Sequence, residues 1–161
     1  MSAERIEVQR VIAVTPPEVF TVLCDPEGHL AIDSSGMLQS VHGDRVSGTG
    51  DTFVVHMDRQ ALGDLPLGTY DVTVVITRFV PDSTIEWTVT SALAPPIGHL
   101  YGYRVEPHPD GTLVTSYCDW SQVSQAHRQR LTFPVVPESS LRASLGILAR
   151  TLGPMPAGER Y

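Results

Sequence analysis

Three polar side chains in the first fifth of the chain have types and spacings that could do chemistry: Arg10, His29 and Asp33. Val8, Arg10 and Ile12 are two residues apart, so they lie on the same face of a strand. Arg10 therefore places a charge on an otherwise apolar face. Such a charge is costly unless it is paired. Arg10 is therefore interpreted either as a structural ion pair or rim residue, or as a guanidinium that grips a carboxylate, phosphate or enolate in a pocket.

The spacing of His29 and Asp33, four residues apart in a short helical segment, predicts that both lie on one helix face. A histidine beside a carboxylate is the arrangement of a general base and the group that orients it. A surface pair or a local cap explains the same spacing. His56, which shares parity with Thr52 and Val54, either faces the pocket or is a satisfied sheet histidine.

Aromatic residues alternate on a later predicted strand, where Tyr101 and Tyr103 follow His99, and Trp87 belongs to a neighbouring strand. Aromatics at this spacing usually pack in a core. In a protein with a cavity, the same side chains would shape the surroundings of the ligand. Both interpretations stay open for Trp87, Tyr101 and Tyr103.

Composition excludes several kinds of chemistry. All eleven basic residues are arginines, so lysine-based Schiff-base catalysis and a phosphate-binding P-loop are both excluded. A net charge of −7 argues against nucleic acid as a partner. Cys24 and Cys118 are far apart, and the six histidines form no metal-binding spacing. We expect free thiols, no metal site and no cofactor.

Alternation of apolar residues predicts about seven strands, and glycine- or proline-rich turns separate most of them. Two short helices follow the first strand, since Thr15-Pro16-Pro17 is a helix start and Glu27 to Asp33 reads as a further helical segment. The predicted strands cover residues 5–14, 37–46, 52–60, 69–79, 84–92, 97–106 and 112–121.

The last quarter of the chain changes to helical periodicity. Residues 122–135 are predicted to form a connector, and a long helix begins at Glu138 and stops at Gly153-Pro154. Its leucine stripe is typical of a core-facing surface, and we expect Leu145 and Leu148 to contact a ligand there. The leucine-bearing loop 62–68 is interpreted as a lid or as a small cluster packed on the sheet.

The order of elements predicts an α+β protein in which a curved antiparallel sheet wraps the C-terminal helix, an arrangement that tends to leave a cavity. The length of 161 residues fits one domain, residues 1–161. No apolar run approaches the length of a membrane span, and the first residues lack a secretion signal, so a cytoplasmic location is expected.

Several segments, in this order, resemble the START-like, or Bet v 1-like, superfamily, and within it the bacterial polyketide cyclase/dehydratase and lipid-transport group. They are TPPEVFTVLCDPEGHLAID, RVSGTGDTF, TRFVPDSTIEW, YRVEPHPDGTLV and LRASLGILARTL. The resemblance covers almost the whole chain and implies a helix-grip fold with a cavity between the sheet and the long helix. It does not fix one activity.

Three functions stay open on this basis. The first is binding of a small hydrophobic molecule, such as a lipid, fatty acid or polyketide-like compound, by a monomer or homodimer. The second is a cyclase or dehydratase acting on a carbonyl substrate, in which Arg10 stabilises an enolate oxygen while His29 and Asp33, or a tyrosine, move protons. The third is a protein-interaction domain.

Overall fold

The computed structural model describes residues 4–63, 68–91 and 97–153. Within these residues, one antiparallel sheet has the strand order β1-β7-β6-β5-β4-β3-β2. The strands are β1 (Arg5–Ile12), β2 (Leu38–His42), β3 (Thr52–Asp58), β4 (Thr69–Val80), β5 (Thr84–Thr90), β6 (Leu100–His108) and β7 (Gly111–Asp119). Register shifts interrupt the β2–β3 and β4–β5 pairings, and such bulges bend a sheet. The predicted α+β architecture and antiparallel sheet are confirmed.

Helices cover the concave face of this sheet. They are α1 (Pro16–Leu23), α2 (Pro26–Ile32), α3 (Gln125–Arg130) and α4 (Glu138–Leu152), and a single 3-10 turn spans Arg59–Leu62. The two predicted helices after the first strand and the long C-terminal helix are confirmed. No helix in the described part of the chain is long and apolar enough to cross a membrane.

The α1–α2 corner is built by local caps and by one glycine. The Thr15 backbone N–H donates to Glu18 over 3.3 Å, and the Asp25 carboxylate accepts from the Glu27 N–H over 3.0 Å. A Cβ on Gly28 would lie 2.0 Å from the Val22 carbonyl oxygen. Only glycine therefore allows the two helices to approach this closely.

The C-terminal helix α4 packs on β1 and β7 through Leu145 and Leu148, which are fully buried. Hydrogen bonds between serines connect its first half to the segment after α2. The Ser34 hydroxyl donates to the Ser140 carbonyl over 2.7 Å, and the Ser144 hydroxyl donates to Ser34 over 3.1 Å. The helix thus has an apolar second half and a polar first half.

Several boundaries differ from prediction: the predicted strand 37–46 ends at His42, and the predicted strand 97–106 runs from Leu100 to His108. The first strand ends at Ile12, before Val14, and the predicted connector 122–135 contains helix α3, whose N-cap Ser124 accepts from the His127 N–H. Helix α3 has no buried residue, so its sequence carries no apolar stripe that would reveal it. Residues 64–67 of the loop 62–68, which was interpreted as a lid or as a packed cluster, lie outside the described residues.

Candidate functional site

A cavity of about 630 Å³ lies between the concave face of the sheet and helices α2, α3 and α4. Short β-branched side chains form much of its wall, and the first half of α4 presents Ser140 and Ser144 to it. Small side chains on facing elements leave space that larger ones would fill. Strand residues on the wall include Phe53, Val55, Val72, Val74, Trp87 and Val89.

Three aromatic side chains form a stacked wall in this cavity. Trp87 lies between Tyr101 and Tyr103, with ring centroids 6.1 and 5.9 Å away. Burial raises the pKa of Tyr103 to about 12 and raises that of Tyr101 further. Both phenols are therefore protonated at neutral pH. The structure places all three predicted aromatics on the cavity lining, while their contact with a ligand stays a prediction.

His29 lies on the lining and is held by the backbone. Its Nε2 is 2.7 Å from the Leu23 carbonyl oxygen, which can only accept, so this nitrogen carries the proton. The ring packs edge-on against Phe53 and Trp87, at centroid distances of 5.1 and 4.8 Å. Burial lowers the pKa of His29, so the imidazole is neutral and its Nδ1 lone pair is available.

Asp33 does not orient His29; of the two interpretations of their spacing, the structure supports the local cap. The Asp33 carboxylate accepts from the backbone N–H groups of Ser35, Gly36 and Leu38, at 3.1, 3.0 and 3.4 Å, and from the Ser35 hydroxyl at 2.7 Å. It therefore organises the turn after α2. Asp33 is still the only acidic side chain among the described lining residues.

The opposite side of the cavity carries His99, His127 and Arg130, which we call the basic end. His99 is 3% exposed, and its Nδ1 has no hydrogen-bond partner among the described residues. Burial, with a smaller effect of His127, lowers the pKa of His99 to about 4. Its ring contacts Tyr101 and Phe133, at centroid distances of 5.1 and 5.9 Å. Arg130 is exposed, so the cavity reaches solvent here.

Four predicted ligand contacts lie away from the cavity. Arg10 does face α4, where its guanidinium is 3.6 Å from the position of a Cβ on Gly146, but β1 is an edge strand and the side chain extends to solvent. His56 points to the convex face and pairs with Asp71 over 2.7 Å, because Phe53 and Val55 take the inward parity of β3. Leu145 and Leu148 are buried in the packed core and are not part of the lining.

The sequence interpretation missed the basic end. The alternation placed His99 on the same face as Tyr101 and Tyr103, but His99 was not predicted as a site residue. His127 and Arg130 belong to α3, which was not predicted. In the described part of the chain, no group of three or more histidine, cysteine or acidic residues could hold a metal ion, and Cys24 and Cys118 are buried free thiols.

Neither a protein-family model nor a curated protein matches the chain. Solved structures match across nearly its whole length. Protein CV1439 from Chromobacterium violaceum has a TM-score of 0.65 at 17% identity, covering 94% of this chain and 99% of its own. The AHSA1-like protein from Aeromonas hydrophila has a TM-score of 0.56 at 18% identity, covering 91% and 90%.

A third similar structure is the Aha1 dimer from Colwellia psychrerythraea, with a TM-score of 0.57 at 15% identity, covering 92% of this chain and 95% of its own. At these identities the likeness concerns the fold. The seven-stranded sheet, the two short helices after β1 and the helix α4 in the described residues agree with it. The chain therefore has the predicted helix-grip fold.

Proposed function

We propose that the protein binds a small hydrophobic molecule in the cavity between the sheet and α4. The observation that carries this proposal is a space of about 630 Å³ with walls of valine, phenylalanine and stacked aromatic rings. Pockets for small ligands have volumes of roughly 300–1,000 Å³ and mostly apolar walls with a few polar groups. Ordinary protein interiors contain few voids larger than a water molecule.

The polar groups on the wall also fit a binding pocket. Most of them are neutral or already bonded: His29 donates to Leu23, Asp33 binds its own turn, and the tyrosines stay protonated. An apolar ligand can therefore enter without leaving an unpaired charge in the middle of the cavity. The charged side chains on the described lining are Asp33 after α2, Arg59 of the 3-10 turn and Arg130 of α3.

A cavity-filling substitution tests this proposal. Val74 points inward from β4 and lines the cavity, whereas the adjacent Thr73 is not on the lining. Val74→Trp adds a large side chain to open space, so it should weaken binding of the neutral probe 1-aminoanthracene by about tenfold or more. Thr73→Trp on the same strand is the matched control and should leave the affinity within about twofold. Fluorescence titration measures both.

Equal binding of 1-aminoanthracene by the wild type and by Val74→Trp would contradict the proposal, as would no binding to the wild type. Circular dichroism of each variant checks that the fold is retained. A second experiment, native mass spectrometry after exposure to a bacterial lipid extract, should show an added mass on the wild type that Val74→Trp lacks.

A cyclase- or dehydratase-type enzyme is the second candidate, and one observation favours it. His29 combines a fixed ring with an unprotonated Nδ1 on the wall of an apolar cavity, which is the form a general base requires. Arg10, which lies outside the cavity, has no role in this version. For an enzyme of this type, His29→Gln should abolish turnover of a polyketide-like carbonyl substrate, while Arg10→Gln should leave turnover unchanged.

We also propose that residues 1–161 form a single domain, since one hydrophobic core includes residues from β1 to α4. The assembly is either a monomer or a homodimer; the structure from Colwellia psychrerythraea is a dimer. Analytical ultracentrifugation distinguishes the two.

A further inference from the structure

We infer that the ligand carries a carboxylate and binds with this group at the basic end formed by His99, His127 and Arg130, while its apolar body lies along the Trp87 wall. This inference rests on the proposed function and names the class of ligand. It is carried by three observations on the described residues of the basic end: the buried Nδ1 of His99 has no hydrogen-bond partner, Nδ1 of His127 is bonded to the Ser124 hydroxyl, and Arg130 has no ion pair.

His99 offers a hydrogen-bond donor to the cavity. Its Nδ1 is buried with no partner in the described part of the chain, and a buried N–H without an acceptor is rarer than an acceptor without a donor. We therefore assign the ring proton to Nε2, the remaining nitrogen of a side chain that lines the cavity. A ligand oxygen is the acceptor that this N–H lacks.

The relevant nitrogen of His127 is also Nε2, because its Nδ1 is bonded to Ser124 at the N-cap of α3. The Ser124 hydroxyl oxygen accepts from the His127 backbone N–H and lies 2.9 Å from Nδ1 of the ring. Because the Ser124 oxygen already accepts from the backbone, we assign its hydroxyl proton to the bond with Nδ1, which leaves the ring proton on Nε2. The second histidine of the basic end therefore also offers a donor.

Arg130 adds a positive charge at the point where the cavity reaches solvent. Among the described residues it has no ion pair, whereas Arg128 on the same helix binds the carbonyls of Trp120 and Val123 and pairs with Glu4. The acid on the lining, Asp33, is occupied by its own turn. The chain as a whole has a net charge of −7, so a cationic surface is a local feature that selects an anion.

The aromatic wall begins next to this end. His99 contacts Tyr101, which stacks on Trp87, which in turn contacts His29. A ligand with its carboxylate at Arg130 therefore places its apolar part against Trp87 and Tyr103. Arginine is suited to this contact because its planar guanidinium matches a carboxylate with two parallel hydrogen bonds.

Two probes that differ only in the headgroup test the inference: 4-(1-pyrenyl)butyrate and its neutral primary amide. Isothermal titration calorimetry should give at least about tenfold tighter binding of the carboxylate to the wild type. Arg130→Gln should bring the two affinities within about threefold by weakening the carboxylate alone. Arg150→Gln, on an exposed part of α4 off the lining, is the control and should keep the wild-type preference.

His99→Leu should weaken both probes by a similar factor of about fivefold, because its N–H donates to the carbonyl oxygen of either headgroup. Equal affinity of the wild type for the two probes would overturn the inference and leave the hydrophobic binding function standing. A carboxylate preference that survives Arg130→Gln, or unchanged affinities in His99→Leu, would overturn the assignment of the basic end. Failure of both probes to bind the wild type would overturn the proposed function as well.

Discussion

The two halves of helix α4 lie on the same sheet but face different surroundings. The second half, with Leu145 and Leu148, packs on β1 and β7 and leaves no space beside it. The first half presents Ser140, Leu141 and Ser144 to a cavity whose opposite wall is rich in valine. One end of α4 is thus packed against the sheet, and the other end borders the cavity.

This difference separates residues that pack in the core from residues that line the cavity. Two histidines on the cavity lining, His29 and His99, differ in a similar way. His29 donates to the Leu23 carbonyl, whereas His99 has a nitrogen without a partner among the described residues. Burial of a group that is left unsatisfied costs stability. Such a group is therefore a stronger indication of a binding role than burial alone.

The largest effect should come from the packed half of α4. Leu148→Ala removes a fully buried side chain and should lower the free energy of unfolding by about 3 kcal/mol, whereas Leu141→Ala, on the cavity wall, should cost less than half of that. Urea denaturation measures both. Comparable losses for the two variants would show that the first half of α4 is packed as tightly as the second.

The next effect compares the two histidines. His29→Leu leaves the buried Leu23 carbonyl without its donor and should destabilise the protein by about 2 kcal/mol. His99→Leu removes a ring whose buried Nδ1 has no hydrogen-bond partner among the described residues, and it should change stability by less than about 1 kcal/mol. A larger loss for His99→Leu than for His29→Leu would reverse the comparison.

Acid should destabilise the protein through the same histidines. Burial lowers the pKa of His99 to about 4, so between pH 6.5 and 4 the unfolded chain takes up a proton that the folded ring does not. The free energy of unfolding then falls as the pH falls through this window, by at most about 1.4 kcal/mol per pH unit for this one group. His99→Leu should make the dependence shallower in urea denaturation at several pH values. The same substitution at the exposed His42 is the control, and an unchanged slope in His99→Leu would contradict the account.

The smallest effect on stability should come from filling the cavity beside the first half of α4. Ser144→Leu loses the hydrogen bond to Ser34 and gains an apolar side chain in the cavity, so stability should change by no more than about 1 kcal/mol. Affinity for 1-aminoanthracene should nevertheless fall by about fivefold. An unchanged affinity would place the probe outside the space beside Ser144.

Much of the fold was predictable because the strands and α4 have regular apolar spacing. Alternation placed Ile85 and Val89 correctly in β5, and the leucine stripe located α4. Helix α3 was not predictable in this way, because it spans six residues, none of them buried. One of the predicted glycine- or proline-rich turns, at Pro109-Asp110, joins β6 to β7.

The site was less predictable because strand parity and chain return decide which side chains reach the cavity. In β3, apolar residues occur on both parities, with Val54 on one and Phe53 and Val55 on the other, so the sequence left the direction of His56 ambiguous. Arg10 has the expected parity, but its place on an edge strand takes it to solvent. His99 lies near α3 only because the chain folds back after β7. Local sequence patterns do not predict this long-range contact.

Methyl NMR tests the central claim most directly, because valine and leucine methyl groups occur in both halves of the molecule. On titration with 1-aminoanthracene, signals of Val72, Val74 and Val89 should shift, while those of Leu145 and Leu148 should not. Shifts confined to the exposed Val11 and Val80, or no shifts at the cavity valines, would contradict ligand binding in the cavity beside the first half of α4.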